Sequence, residues 1–167
     1  MSRRPKYYSV HTVELGKALT SEEAIALILR RSTHLAHQRI IDIIRAHPFV
    51  PVNEGARIDI AVVRQNHELA LGYAQRSEVI TRAHARKLRN VTVQEAVDLF
   101  LQEKYPFTGT VVIGSSPLEI PGRRGKFLLG IRCDTGLGSK PYFQYIDYDP
   151  NMVFRIGTMW AFALKKK

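Results

Sequence analysis

Arginine is the residue whose spacing first suggests chemistry. Arg82, Arg86 and Arg89 stand four and three positions apart. At 3.6 residues per turn they share one face of a helix expected over residues 76–89. Arg76 and Lys87 join them, and Glu78 is the one acid in that span. Guanidinium groups bind phosphate oxygens bidentately, so such a stripe can follow a nucleic-acid backbone. The competing expectation is a solvated helix face in a basic protein; loss of the fold on replacing the three arginines would instead mark them as structural, paired with acids such as Glu78 or Glu95. A second basic locus is Pro121-Gly122-Arg123-Arg124-Gly125-Lys126, a turn between two expected strands. It has the shape of a groove-reaching arm. Phe127 follows Lys126 where a phosphate-binding P-loop needs Ser or Thr, so it is not one. The candidate nucleic-acid-binding residues are therefore Arg76, Arg82, Arg86, Lys87, Arg89, Arg123, Arg124 and Lys126. Arg3, Arg4 and Lys6 at the start and Lys165–Lys167 at the end add charge without specificity.

Other chemistries find less support. Tyr142, Phe143, Tyr145, Tyr148, Phe154, Trp160 and Phe162 crowd the last quarter. Exposed rings can stack bases, but filling the core of a sheet is the favoured expectation. Tyr142 and Phe143 are adjacent, so a strand points them to opposite faces. His34 and His37 are one helical turn apart, with His47 beyond them. No His-Glu-x-x-His, Cys pair or acidic cluster accompanies them, so no metal site is expected. Cys133 is the only thiol and lies between Arg132 and Asp134, whose charges push its pKa in opposite directions. Asp147 and Asp149 could hold a divalent metal, yet they equally open the Asp149-Pro150-Asn151 turn. No catalytic residue and no cofactor is assigned.

The chain has 167 residues, with 25 Lys and Arg against 15 Asp and Glu, a formal charge of +10. Its 45% hydrophobic and 24% charged residues are globular values, which argues against disorder over most of its length. One cysteine excludes an intrachain disulfide and a Cys-rich zinc module. No apolar run reaches about 18 residues, so no membrane-spanning helix is expected. No apolar stretch follows the basic start, so no secretory signal is expected either.

The elements follow from periodicity. A basic arm spans residues 1–8 and a strand residues 7–13. Thr20-Ser21-Glu22-Glu23 is a capping box in which Glu23 is expected to reach back to the Thr20 amide. The helix it opens runs to Arg31. Ser32-Thr33 breaks it, and a second, broadly apolar helix spans residues 33–46, with Ile40 and Ile44 expected to be buried at the centre of the helical part. Ile58, Ile60 and Val62 share one face of a strand over residues 56–63. Residues 66–74 fit either a strand or a helix start. Thr92-Val93-Gln94-Glu95 is a second capping box, opening a helix to about Lys104. Beyond Gly109 five strands are expected: 110–113, 126–132, 142–148, 152–156 and 159–164.

Residues 6–63 resemble the HU and integration-host-factor family of DNA-bending proteins. The resemblance is carried by the Lys6-Tyr7-Tyr8 opening, Gly16, helix Ser21–Arg31, the Ser32-Thr33 break, helix Leu35–Ala46 and the Gly55-Ala56-Arg57-Ile58 strand entry. It implies a dimer whose helices form a base and whose arms grip the minor groove. Ala61-Val62-Val63-Arg64 stands where that family has a Gly-Phe-Gly-x-Phe turn, and Pro121–Lys126 is the one counterpart for its proline arm.

The expected fold is α+β, a helical N-terminal part (9–106) packed on a small C-terminal antiparallel β-sheet (107–164). The leading functional expectation is sequence-tolerant binding of nucleic acid, DNA ahead of RNA, by a homodimer or larger assembly. It would sit in the cytoplasm or on the nucleoid, with a virion interior as the alternative and no membrane partner. A structural or assembly component of a phage or viral particle is the second expectation. A small metal-dependent enzyme using Asp147, Asp149 or Cys133 is the third.

Overall fold

The computed structural model describes residues 9–31, 38–102, 108–133 and 141–165. Elements run in chain order: β1 (Ser9–Glu14), α1 (Ser21–Arg31), α2 (Gln38–Ala46), β2 (Arg57–Arg64), β3 (Ala74–Gln75), α3 (Arg76–Ala85), β4 (Leu88–Arg89), α4 (Val93–Phe100), β5 (Gly109–Ile113), β6 (Lys126–Cys133), β7 (Tyr142–Tyr148), β8 (Val153–Phe154) and β9 (Met159–Leu164). All five C-terminal strands form. They do not make a small separate sheet under a helical half.

Seven strands build one sheet in the order β1-β2-β9-β5-β6-β7, with β4 also paired to β9. Strands from both halves of the chain therefore interleave. β2 lies directly beside β9, Ile60 opposite Ala163 and Val63 opposite Trp160. Every neighbour is antiparallel except β5 and β9, which run parallel. β3 and β8 pair as a separate two-stranded ribbon. The expected division into a helical part and a small sheet is thus corrected to a strand-dominated mixed fold. The reason is that strand partners far apart in the chain leave no local periodicity to read.

The sheet is covered on both faces. On one, α1, α2 and α4 pack Ile25, Ile28, Ile40, Ile44, Val97 and Phe100 against Ile58, Ile60, Val62, Ile113 and Ile131. On the other, Val79 and Ala83 of α3 and Phe154 of the ribbon pack against Val63, Val112, Leu128, Trp160 and Phe162. Ile58, Ile60 and Val62 do share a face, and Ile40 and Ile44 are buried as expected. The reading of the aromatic residues as core also holds: Phe143, Phe154, Trp160 and Phe162 are buried, and Tyr142, Tyr145 and Tyr148 half-buried.

Local chemistry sets the helix starts. The Thr92 hydroxyl accepts the Glu95 amide at 3.1 Å, and the Glu95 carboxylate accepts the Thr92 amide at 3.0 Å, completing the box that opens α4. That helix ends at Phe100. At α1 the Thr20 hydroxyl accepts the Glu23 amide, but Glu23 accepts from Leu19, not Thr20. The expected start of the second helix at residues 33–37 lies outside the described residues.

Asp98, fully buried on α4, latches the loop before α1. Its two carboxylate oxygens accept the Gly16 and Lys17 amides, each at 3.0 Å. Burial pushes its carboxyl pKa above the ordinary value, and the two amides oppose that only in part. A carboxyl whose folded pKa is raised contributes stability that is fully present below its unfolded pKa and is lost as pH rises through the folded one. The stability difference between wild type and Asp98→Asn should therefore shrink from about pH 3.5 to about pH 7 in urea unfolding. A difference that grows with pH would show that the two amides outweigh burial.

Candidate nucleic-acid interface

The basic helix is shorter than its arginine spacing suggests. Glu78 accepts the Gln75 amide at 2.7 Å and opens α3, and Val79 and Ala83 anchor it to the sheet. It stops at Ala85. The Arg86 and Lys87 amides donate to the Ala83 and His84 carbonyls, and Lys87 turns left-handed at φ 62°. This turn delivers Leu88, fully buried, opposite Leu164. Core packing of Leu88 overrides helical periodicity, so Arg89 leaves the arginine face.

Strand geometry then sends Arg89 toward α4. Its guanidinium donates to both Glu95 oxygens, at 2.7 and 3.0 Å, and that hydrogen-bonded pairing raises its pKa. Arg89 is thus structural, tying β4 to the start of α4. Arg76 is structural too. It is half-buried, donates to the Ser115 carbonyl, and lies 6.0 Å over the Tyr148 ring. Burial pushes its pKa down.

Arg82 and Lys87 are exposed, with no ion pair to a described acid, and Arg86, half-buried, lies beside them at the end of α3. The second basic locus is largely neutralised. Arg123 pairs with Asp42 of α2 at 2.7 Å, and Lys126 with Glu119 at 2.9 Å, leaving Arg124 exposed. Because α2 and α3 cover opposite faces of the sheet, the two loci do not form one basic surface.

A different cation joins the first locus. The Lys165 amide donates to the Lys87 carbonyl at 3.1 Å, which sets the end of β9 against the end of α3. Lys166 and Lys167 follow in the sequence and lie outside the described residues. Local reasoning treats this tail as solvated charge. The signal that marks it is a shortage of acids: residues 79–94 and 150–167 contain no Asp or Glu. The structure brings these two acid-free stretches together. Beside them a cleft of about 1020 Å³ is lined by Arg57, Asp59, Arg89, Glu95 and Lys165. Its acids are engaged, Asp59 by the Thr12 hydroxyl and Glu95 by Arg89.

The other candidate chemistries are placed as follows. Asp147 pairs with Arg39 at 3.2 Å, and Asp149 accepts the Asn151 amide, shaping the turn. Cys133 is half-buried at the end of β6. His47 Nδ1 lies 2.7 Å from the Ile43 carbonyl, while His34, His37 and Asp134 are outside the described residues. His84 reaches Asn90 at 3.1 Å, and Asn90 reaches Ser116 at 3.4 Å, a chain without an acid. Among the described residues no group of three or more His, Cys, Asp and Glu is placed to hold a metal. Among them, too, no helix is long and apolar enough to cross a membrane. The candidate surface is then a cationic end of the molecule that carries Arg82, Arg86, Lys87 and Lys165. Comparison with known proteins returns no match to this arrangement or its sequence, whether among protein families, curated proteins or solved structures.

Proposed function

We propose that the protein binds nucleic acid through backbone phosphates, using the end of α3 and the end of β9. The observation that carries this reading is the Lys165–Lys87 backbone hydrogen bond, which joins two acid-free basic stretches distant in the chain. Arg82, Lys87 and Lys165 lie at the surface there. Such contacts neutralise phosphates and release counterions, and they position a protein without reading bases. The resemblance of residues 6–63 to DNA-bending proteins makes duplex DNA the first polymer to test.

The triple variant Arg82→Gln, Lys87→Gln, Lys165→Gln removes these cations and leaves Arg76 and Arg89 in their structural contacts. It should flatten the slope of log affinity against log salt by about 2–3 units on random duplex. The weakening should be equal across unrelated sequences. The melting temperature should hardly move, since surface substitutions away from special features stay within about 0.5 kcal/mol each. Arg123→Gln with Arg124→Gln should leave the slope unchanged. A triple variant that keeps the wild-type slope would remove this end of the molecule as the binding surface.

A further inference from the structure

Between α2 and β2 the chain runs through residues 48–53 without helix, strand or turn. His47 closes α2 just before them. Its amide donates to the Ile44 carbonyl at 3.2 Å, and its Nδ1 lies 2.7 Å from the Ile43 carbonyl. Proline then sets the backbone of Pro48-Phe49-Val50-Pro51. Each proline fixes its own φ at about −65° and pushes the residue before it, His47 or Val50, into the extended region. No residue of the segment has a positive φ. Such angles in sequence are those of polyproline II, a helix of three residues per turn.

Burial follows the same period of three. Phe49 and Val52 turn inward: Phe49 packs on the core under α1, α2 and α4, and Val52 Cγ2 stands 3.6 Å from where a Cβ would lie at Gly16. Pro48, Val50 and Pro51 face solvent, Val50 with 65% of its surface exposed. One edge of the three-sided helix is thus fixed to the protein and the other two are open. Its rise of 3.1 Å per residue sets the two proline rings about 9 Å apart on one open edge. A clamp from α4 holds the segment in place. The Gln94 oxygen accepts the Val50 amide and the Gln94 nitrogen donates to the Val50 carbonyl, each at 3.0 Å. The segment is therefore ordered before anything binds it, which lowers the entropy cost of docking. Charge adds little, since Arg45 at the end of α2 pairs with Glu22 at 2.6 Å and Glu54 lies beyond the segment.

We propose that Pro48, Val50 and Pro51 dock into an aromatic-lined groove of a partner protein, of the kind that takes Pro-x-x-Pro segments in the polyproline II form. The partner covers the two open edges, and the Phe49–Val52 edge stays on this chain. The surface is independent of the nucleic-acid reading, because it lies across the sheet from α3.

Titrating the isotope-labelled full chain with an SH3 domain that binds Pro-x-x-Pro peptides, followed by backbone amide chemical shifts, tests it. The shifts should saturate with a dissociation constant below about 1 mM and be confined to residues 47–53 and the Gln94 side chain. A free Pro-x-x-Pro peptide should reverse them by taking the groove. Pro48→Ala with Pro51→Ala should weaken binding at least about tenfold and keep the folded spectrum, as both rings lie at the surface. The triple variant Arg82→Gln, Lys87→Gln, Lys165→Gln should bind the domain like wild type. No shift in residues 47–53, shifts that the peptide leaves unchanged, or undiminished binding by the double proline variant would each overturn the proposal. Shifts in the same residues on diluting the chain alone would assign the surface to a second copy and overturn it as well.

Discussion

Gly114→Ala is expected to destabilise the protein by about 3 kcal/mol, at the upper end for an overpacked core, and Gly114→Val to prevent folding. Gly114 follows β5 where three strands meet. Its amide donates to the Ala161 carbonyl of β9 at 2.8 Å, and its carbonyl accepts the Val91 amide just after β4 at 2.9 Å. A Cβ at this position would collide with the Phe162 ring and stand 2.8 Å from the Ala161 carbonyl oxygen. Phe162 is fully buried and stacks on Trp160, with ring centroids 6.3 Å apart, so it has little room to retreat. The collision has a partner, which makes it testable by a double-mutant cycle. Phe162→Leu removes the ring edge, so Gly114→Ala should cost less in that background, with a coupling of about 1 kcal/mol or more. Absence of coupling would place the strain in the backbone instead. Gly157 has no positive φ, and a Cβ there would meet nothing within 4 Å, so it should accept Ala without loss.

The outcome at Arg89 shows where sequence reasoning stops. The four-and-three spacing of Arg82, Arg86 and Arg89 is a correct helical pattern, and α3 begins at Arg76 as that pattern requires. Nothing in the spacing announces that Leu88 is needed in the core opposite Leu164. The left-handed turn at Lys87 delivers it there. The fold class failed for the same reason. The five C-terminal strands were legible because turns and apolar runs are local. The insertion of β9 between β2 and β5 was not, because strand order depends on partners far along the chain. One signal for it was present. Ala61-Val62-Val63 and Trp160-Ala161-Phe162-Ala163 are unbroken apolar runs, the mark of strands covered on both faces. Both runs are fully buried, and they are neighbours at the centre of the sheet.

The candidate interface was legible in part. The basic stretch after Arg76 stood out by composition, and Arg82, Arg86 and Lys87 do gather at the end of α3. Lys165 was visible only as a tail residue, since its value comes from a hydrogen bond to Lys87 that joins two distant stretches of the chain. Arg123 and Lys126 were legible as charge, but their partners Asp42 and Glu119 were not. Asp42 reaches Arg123 only because α2 packs beside that turn. Net charge counts every cation, whereas folding decides which remain free to meet a phosphate.

Gln65→Ala is expected to cost about 3–5 kcal/mol and to loosen the β3–β8 ribbon from the sheet. Gln65 follows β2 and is fully buried. Its amide nitrogen donates to the Gly72 carbonyl at 2.6 Å and the Phe154 carbonyl at 3.1 Å, and its oxygen accepts the Trp160 indole N–H at 3.2 Å. One side chain thus satisfies three groups from the loop before β3, from β8 and from β9. Truncation leaves all three without that partner, and each unmet group costs about 1–3 kcal/mol. Water entering the cavity offsets part of the sum. Trp160 also packs edge-on against Phe154 at 4.7 Å, so its emission should shift red as the ribbon loosens. Gln65→Glu separates the hydrogen bonds from the packing. An ionised carboxylate can accept from Trp160 but can donate to neither carbonyl, and burial beside two carbonyl oxygens raises its pKa. A carboxyl with a raised folded pKa contributes stability that is complete below its unfolded value and lost as pH rises. Gln65→Glu should therefore lie closer to wild type near pH 4 than near pH 7 in urea unfolding. A variant equally stable relative to wild type at both would show that Gln65 acts by filling space and not by joining the three elements.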